Sequence, residues 1–251
     1  MKQSKPKEEL VKEEVEEIKE KEEERQIYKR VSREEREESE MRGRIESWKP
    51  KTKLGLLVKQ GKIKNIDEII DKNMKILEPE IVDSLLKLKS DLLEIGQAKG
   101  KFGGGKRRAW RQTQKKVDEG NISSFSCMAV VGDGLGHIGL GYGKAKETLP
   151  SREKALRKAR LNIFRIKRGC GSFNCNCNEE HSIPYKIDGK SGSIKVYLMP
   201  APQGTGLVIG DEMKKILRLA GIKDVYSESF GHKRTTMNFA MACIDALRKL
   251  R

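Results

Sequence analysis

The chain has 251 residues with a formal net charge of +16, and 36% of its residues are hydrophobic and 36% charged. This length allows two small domains, and the excess of cations favours a polyanionic partner such as nucleic acid or an anionic membrane surface. No apolar run is long enough to cross a bilayer, and no basic-then-apolar leader opens the chain, so we expect a soluble cytosolic protein. Five cysteines, an odd number, argue against a disulfide framework.

Residues 1–45 are predicted to form an acidic, low-complexity arm. Residues 1–40 hold 15 acidic and 11 basic residues, so they carry −4 and the rest of the chain carries +20. This composition is typical of a solvent-exposed or disordered tail. The alternative is a charged helix that docks on a basic partner, because a short apolar stripe over residues 10–18 has helical spacing.

Residues 46–95 are predicted to be an N-terminal extension that includes the first helix. Three isoleucines between residues 66 and 70 follow helical apolar spacing. Pro79 suits the first turn of a helix, which we expect to run to about Ile95.

The next stretch, "KGKFGGGKRRAWRQ" at residues 99–112, combines three ingredients of an RNA contact. Consecutive glycines permit close backbone approach, cations neutralise phosphates, and flat side chains stack on unpaired bases. The alternative is a flexible basic loop whose tryptophan belongs to the core. The residues predicted to bind RNA here are Lys99, Lys101, Phe102, Gly103, Gly104, Lys106, Arg107, Arg108, Trp110 and Arg111.

Residues 125–131 and 138–142 are predicted to be paired strands joined by a glycine-rich turn. The segment "GLGHIG" at residues 134–139 matches the dinucleotide-binding fingerprint. That fingerprint requires a helix directly after it, and a second strand follows here instead, so we interpret the segment as a turn between strands and not as a nucleotide site.

An amphipathic helix is predicted over residues 151–168, "SREKALRKARLNIFRIKR". Its positive face lies close in sequence to the basic loop, and we expect it to extend the RNA-binding surface. The helix residues predicted to bind RNA are Lys154, Arg157 and Lys158. Lys144, which precedes the helix, is predicted to bind RNA with them.

The segment "CGSFNCNCNEEH", residues 170–181, concentrates three cysteines and one histidine. Three thiolates and an imidazole complete a tetrahedral zinc shell, so Cys170, Cys175, Cys177 and His181 are the predicted ligands of a structural Zn²⁺. A catalytic zinc needs an open position for water, and this set leaves none. The alternative is that ordinary packing cysteines meet by chance, because the spacing matches no common zinc finger.

The remaining residues predict a small α/β arrangement. Two strands, at residues 182–187 and 191–200, are expected to flank a turn at 188–190. Asp211 is the expected N-cap of a helix that stops at Gly221. A short strand and a closing helix follow; the helix has Phe239, Cys243 and Leu247 in phase.

From about Trp48 onward the chain closely resembles a family of ribosomal proteins, the fifth universal protein of the small subunit in its archaeal form. The matching stretches include "WKPKTKLGLLVKQGKI", "VVGDGLGHIGLGYGKAKE", "RKARLNIFRIKRGCGSF", "PAPQGTGLV" and "RTTMNFAMACIDAL". Such a set far exceeds what one motif produces by chance.

The resemblance implies an α+β fold of two small domains behind the charged arm. The first, expected over residues 96–168, resembles an αβββα double-stranded-RNA-binding fold with a three-stranded sheet. The second, expected over residues 169–251, is a small α/β ribosomal domain that begins with the cysteine-rich junction. Members of the archaeal type often have cysteines at that junction, which favours the zinc interpretation.

The resemblance also implies a function without catalysis. Family members are structural constituents of the small ribosomal subunit in the cytoplasm. They bind 16S-type rRNA near the decoding region, touch neighbouring ribosomal proteins and support assembly and translational fidelity. No membrane or small-molecule substrate is expected. Two rival hypotheses are a free-standing RNA-binding protein that reuses this fold and a zinc-dependent RNA-modifying enzyme.

Overall fold

The computed structural model describes residues 43–97, 107–177 and 179–251. The acidic arm predicted over residues 1–45 lies almost entirely outside this part of the chain. Residues 50–251 form one compact unit. No helix within the described ranges is both long enough and apolar enough to span a membrane.

Helices and strands alternate irregularly along the compact unit. Its described helices are α1 Lys53–Lys59, α2 Ile66–Asp71, α3 Pro79–Leu85, α4 Thr148–Leu161, α5 Asp211–Ala220 and α6 Thr236–Arg248. Its described strands are β1 Lys89–Leu92, β2 Trp110–Val117, β3 Gly120–Gly132, β4 His137–Ala145, β5 Ile163–Arg165, β6 Ile187–Ser191, β7 Ile194–Pro200, β8 Leu207–Val208 and β9 Val225–Phe230. The strands make two sheets, and the predicted two-domain α+β fold is confirmed.

The first sheet contains five antiparallel strands in the order β1-β3-β4-β5, with β2 also paired to β3. The long strand β3 organises it, because its first half pairs with β2 and its last four residues pair with β1. The predicted central hairpin is present, since Gly132 of β3 faces Ile138 of β4 across a glycine-rich turn. The expectation of three strands was therefore too low.

Both extra strands lie where a helix was predicted. The helix that begins at Pro79 ends at Leu85 instead of running to Ile95, and β1 follows on the edge of β3. The helix predicted over residues 151–168 runs from Thr148 to Leu161, and β5 follows on the edge of β4. In each case, pairing with a strand that is distant in sequence overrides the helical spacing of the apolar residues. The hydrogen bonds that an unpaired sheet edge offers cannot be predicted from local periodicity.

Helix α4 packs unusually close to β4. A Cβ atom on Gly141 would overlap the carbonyl oxygen of Ala155 and the amide nitrogen of Ala159, and Gly139 and Gly143 meet the same helix in the same way. The side chains of a strand alternate between its two faces, so the glycines at every second position of β4 form a flat track for the helix. Close backbone approach is what these glycines provide.

The second sheet has the order β6-β7-β9-β8, antiparallel except for the parallel pair β8–β9. The predicted hairpin is present, but the position predicted for its turn, residues 188–190, was wrong. Strand β6 continues to Ser191, and the chain turns between Ser191 and Ile194. Asp211 is the first residue of α5, and Gly210 takes the N-cap position predicted for it. Gly221 ends that helix in the left-handed conformation with φ of 82°, as expected.

The two sheets share a hydrophobic core, and a backbone hydrogen bond also connects the two domains. Core residues of the first sheet, among them Met128 and Ile138, belong to the same buried cluster as Leu198 of the second sheet and Leu217 of α5. The turn between β3 and β4 rests on the end of α5, where the Gly134 amide donates to the Leu219 carbonyl over 2.9 Å. We call this contact the joint between the domains.

Helices α2 and α3 fasten the N-terminal extension to the first sheet. Ile66, Ile70 and Val82 form a buried cluster with Ile163 of β5. A half-buried ion pair between Asp83 and Arg160, 3.0 Å long, adds a polar fixing point.

A second polar contact runs through His137 of β4, which is buried. Its Nδ1 lies 2.6 Å from Asp133 Oδ2 and its Nε2 lies 3.0 Å from Asp67 Oδ1, while Arg165 approaches Asp67 to 3.4 Å. Burial lowers the pKa of His137, but hydrogen bonds to the two carboxylates outweigh burial and hold that pKa above its ordinary value. The imidazole ring therefore links the extension to the sheet, and the two carboxylates favour its protonated form.

We predict that Gly141→Ala lowers the free energy of unfolding by about 3 kcal/mol, because the new methyl group forces α4 away from β4. Urea denaturation measures the change. Lys144→Ala on the exposed face of the same strand is the control and should cost less than about 0.5 kcal/mol. Equal losses in the two variants would contradict the close packing described here.

We predict that the stabilisation supplied by His137 fades at alkaline pH. A raised folded-state pKa gives stability that is complete below the unfolded pKa and is lost as pH rises through the folded value. The difference in unfolding free energy between the wild type and His137→Gln should therefore be largest below pH 6.5, the ordinary pKa of histidine, and shrink as the pH rises above it, as followed by urea titration at each pH. A difference that stays constant would show that no protonated histidine is involved.

Candidate nucleic-acid interface and metal centre

Only part of the predicted RNA-binding set falls within the described chain. Six predicted residues lie outside it and have no structural account: Lys99, Lys101, Phe102, Gly103, Gly104 and Lys106. The other predicted cations are exposed to solvent: Arg107, Arg108, Arg111, Lys144, Lys154, Arg157 and Lys158. Trp110 is half-buried.

Trp110 serves the packing of the first sheet as well as its surface. The indole packs on the buried cluster of Cys127, Ala129 and Ala155. Two guanidinium groups lie against the ring, with the carbon of Arg108 at 5.7 Å and that of Arg152 at 5.5 Å from its centroid. The tryptophan at the start of β2 thus contacts Arg108 just before its own strand and Arg152 of α4, a cation of the basic helix face that the sequence predicted.

The structure divides the remaining predicted cations between two surfaces. Arg111 of β2 and Lys144 of β4 both pair in register with Ser126 of β3, so they share one face of the first sheet. This is the face opposite α4, because the neighbouring Gly143 contacts that helix. Lys154 and the other two predicted residues of α4 lie on the helix itself, where the Lys154 ammonium donates to the Lys144 carbonyl over 3.4 Å.

A basic cleft of about 570 Å³ opens at the first of these surfaces and spans both domains. Arg107 and Arg111 line it from the first domain, and the Arg107 guanidinium donates to Thr236 Oγ1 over 2.8 Å. His232 and Arg234 line it from the second domain, just before α6. No described lining residue is acidic, so the cleft presents concentrated positive charge to solvent.

The contribution of residues 231–238 to this cleft was missed by the sequence reasoning. The signal was present, since "GHKRTT" places three basic or ionisable side chains directly before a predicted helix. The sequence could not show that the fold brings this segment into contact with Arg107, more than one hundred positions earlier in the chain.

The cysteine-rich segment is a loop closed at its base. Gly169 and Ser182 exchange two backbone hydrogen bonds of 3.0 Å each, and the Gly171 amide donates to the Ile183 carbonyl. This short antiparallel bridge brings the two ends of the segment together. The four predicted ligands lie between its strands: Cys170, Cys175, Cys177 and His181.

The structure gathers the four predicted ligand atoms, all within 4.8 Å of one another, into what we call the Cys3His cluster. The sulfurs of Cys175 and Cys177 are 3.0 Å apart, and His181 Nε2 lies 3.1 Å from the second and 3.6 Å from the first. Zinc bonds of about 2.3 Å to sulfur in a tetrahedral shell place sulfurs roughly 3.8 Å apart. The three separations given above are somewhat shorter than that value and all four atoms lie within 4.8 Å of one another, so small outward shifts of the side chains would fit the donor set around one tetrahedral zinc ion.

The thiols of the cluster perturb one another. The hydrogen bond between Cys175 and Cys177 lowers the pKa of Cys175 to about 6, and the same contact raises the pKa of Cys177 to about 11. Neighbouring thiolates repel each other, and a divalent cation among them removes that repulsion. The arrangement is therefore suited to a metal with a preference for thiolate.

His181 is buried, with 1% of its surface exposed, and its second nitrogen has its own partner. Nδ1 lies 2.8 Å from Asp224 Oδ2, and Asp224 is itself only 4% exposed. The other carboxylate oxygen of Asp224 accepts the Gly206 amide over 2.7 Å. Because Nδ1 is engaged, Nε2 is the nitrogen that faces the cysteines.

Comparison with known proteins adds a family to this geometry. Residues 108–167 match the family profile described as "Ribosomal protein S5, N-terminal domain", and residues 189–251 match "Ribosomal protein S5, C-terminal domain". A protein of Nanoarchaeum equitans named "Small ribosomal subunit protein uS5" is 52% identical over 207 residues, which cover 82% of this chain and 89% of that protein.

This chain belongs to the ribosomal protein S5 family. Relatives with the same name include a Staphylothermus marinus protein, 49% identical over 81% of this chain and 89% of its own length. Another, from Methanocaldococcus jannaschii, is 47% identical over 84% of this chain and 90% of its own length. The expected family is confirmed; the first profile contains β2 to β5 of the first sheet, and the second contains β7 to β9 of the second sheet.

Proposed function

We propose that this chain is a structural constituent of the small ribosomal subunit that binds rRNA and acts without catalysis. Its relatives carry the name of a small-subunit ribosomal protein over most of its length. A charge of +20 outside the first forty residues supplies the electrostatic attraction that phosphate requires. The observation that carries the proposal is family membership combined with a basic cleft built from both domains.

The finer features of this function rest on the family resemblance. They are contact with 16S-type rRNA near the decoding region, contact with neighbouring small-subunit proteins, and support of assembly and translational fidelity. Ribosomes of the cytoplasm are the location that this function requires.

The basic cleft is the surface that we assign to the RNA backbone. Arg107, Arg111 and Arg234 converge on it from two domains, so a phosphate strand lying in the cleft meets several cations at once. Lys144 lies on the same sheet face as Arg111 and extends this surface. Trp110 then acts by holding Arg108 and Arg152, and the cations of α4 form a second, separate contact.

We predict that the double variant Arg111→Gln, Arg234→Gln weakens rRNA binding and flattens its salt dependence. Each phosphate contact contributes about 0.7 to 0.9 to the slope of log affinity against log salt, so the slope should become less negative by about 1.5. Filter binding of small-subunit rRNA across a salt series measures this change.

The control for that experiment removes the same charge elsewhere. The double variant Lys190→Gln, Lys195→Gln changes two exposed lysines of the β6–β7 hairpin. Its slope should equal that of the wild type. Identical slopes in the cleft variant and the wild type would remove the cleft from the RNA-binding surface.

The Cys3His cluster is proposed to hold one structural zinc ion. Cys170, Cys175, Cys177 and His181 would fill the four positions of the shell, and the bound ion would stabilise the loop between the domains. A filled shell leaves no position for an activated water, so a zinc-dependent RNA-modifying enzyme is the weaker interpretation.

We predict that the purified reduced protein carries an excess mass of one zinc ion in native mass spectrometry, which disappears under denaturing conditions. Cys177→Ser should lose that excess, because it removes one of the three thiolates. Cys243→Ser is the control, since that cysteine is buried in α6 and outside the cluster. A wild type without excess mass would contradict the zinc site and leave the ribosomal function unaffected.

The rival of a free-standing RNA-binding protein makes a different prediction. Such a protein would be absent from small-subunit fractions of a cell lysate, whereas a ribosomal constituent should sediment with them. Family membership over four-fifths of the chain favours the second outcome.

A further inference from the structure

The loop that joins β7 to β8 touches the Cys3His cluster and has no role in the function proposed above. It contains the segment "PAPQGTG", residues 200–206, and its tip is closed by a hydrogen bond from the Thr205 hydroxyl to the Pro202 carbonyl over 2.8 Å. Two of its backbone amides point at the cluster or at the partner of the cluster histidine.

The first of these contacts is direct. The backbone N–H of Gln203 approaches the sulfur of Cys175 and contributes to the lowered pKa of that thiol. Backbone N–H groups that donate to ligand sulfurs stabilise thiolate charge, and they are a recognised way in which the surroundings of a metal site tune it.

The second contact passes through Asp224. The Gly206 amide donates to Asp224 Oδ1, and Asp224 Oδ2 engages His181 Nδ1, so the carboxylate joins the loop to a cluster ligand. Both carboxylate oxygens thus have a defined donor in a nearly water-free position.

The backbone fixes the position of Asp224 relative to the histidine. The amides of Lys223 and Asp224 both donate to the His181 carbonyl, over 2.8 and 3.2 Å. The carboxylate therefore stands at a set distance from the imidazole, and the ring is held with Nε2 toward the sulfurs of Cys175 and Cys177.

We propose that Asp224 is the positioning residue of the metal site and that residues 202–206 form its outer shell, so that metal binding orders this loop. The proposal rests on the zinc site proposed above and extends it to residues that are not ligands. A histidine that binds metal through one nitrogen usually donates its other N–H to a carboxylate or carbonyl, which sets the tautomer and strengthens the metal bond. The chain of contacts from Gly206 through Asp224 to His181 has this form.

The alternative is that Asp224 and His181 form a buried polar pair of purely structural value. A structural pair would stabilise the fold equally with and without metal. A positioning residue instead changes metal affinity and the spectrum of the bound ion, so both quantities separate the two roles.

The experiment measures zinc affinity of the full chain by competition with a chromophoric chelator, for the wild type and Asp224→Asn. We expect about a 10- to 100-fold loss of affinity in the variant, because the amide cannot accept from both His181 and Gly206. Asp211→Asn is the matched control, since that side chain is 92% exposed and pairs only with Lys214 in the described structure, and its affinity should not change.

Cobalt substitution supplies the spectroscopic readout. Cobalt in a Cys3His shell gives visible ligand-field bands, and these should shift in Asp224→Asn because the histidine is held less firmly. Asp224→Glu keeps the carboxylate and should recover part of the affinity, which serves as a second variant if Asp224→Asn folds poorly.

Hydrogen exchange tests the link to the loop. Zinc should slow exchange of the Gln203 and Gly206 amides in the wild type, and exchange that zinc leaves unchanged at both amides would overturn the proposed link between the metal and the loop. A wild type that binds zinc, with unchanged affinity and cobalt spectrum in Asp224→Asn, would overturn this inference alone. A wild type that binds no zinc would overturn the zinc site itself and this inference with it.

Discussion

The architecture depends on a backbone contact at the joint, where the β3–β4 turn meets the end of α5. A Cβ atom on Gly221 would overlap the Gly134 carbonyl oxygen, and one on Gly132 would overlap that of Leu219, so only glycine allows this approach. The Arg168 guanidinium lies 3.4 Å from the carbonyl oxygens of both Gly134 and Gly221. These contacts join two sheets around one buried cluster, and the basic cleft exists because the joint fixes the domains relative to each other.

Arg168 also connects the joint to the Cys3His cluster. It immediately precedes Gly169, whose pairing with Ser182 closes the cysteine-rich loop, and it forms an ion pair with Glu180 at the far end of that loop. A chain with a modest core gains most from a metal where a long connection would otherwise be loosely held. The proposed zinc ion would therefore stabilise the segment that links the two domains.

Local patterns in the sequence predicted the elements that depend on local physics. The β3–β4 hairpin, α5 with its glycine stop, and α6 with Phe239 inside follow from apolar period and turn chemistry. Strands β1 and β5 were missed because their stability comes from pairing with β3 and β4, and local sequence patterns do not show which strands pair. The residue patterns alone predicted only that the protein contacts RNA. The more specific function, that of a ribosomal constituent, came from the family resemblance.

The candidate sites divide in the same way. Spacing within twelve residues was enough to predict the Cys3His cluster. Asp224 lies 43 positions beyond His181 and could be found only in the folded chain.

The most direct test of the central claim, that one RNA surface spans both domains, is hydrogen exchange of the full chain with and without small-subunit rRNA. The account predicts protection of residues 107–114 and 231–238 together, and protection confined to the first domain would contradict it.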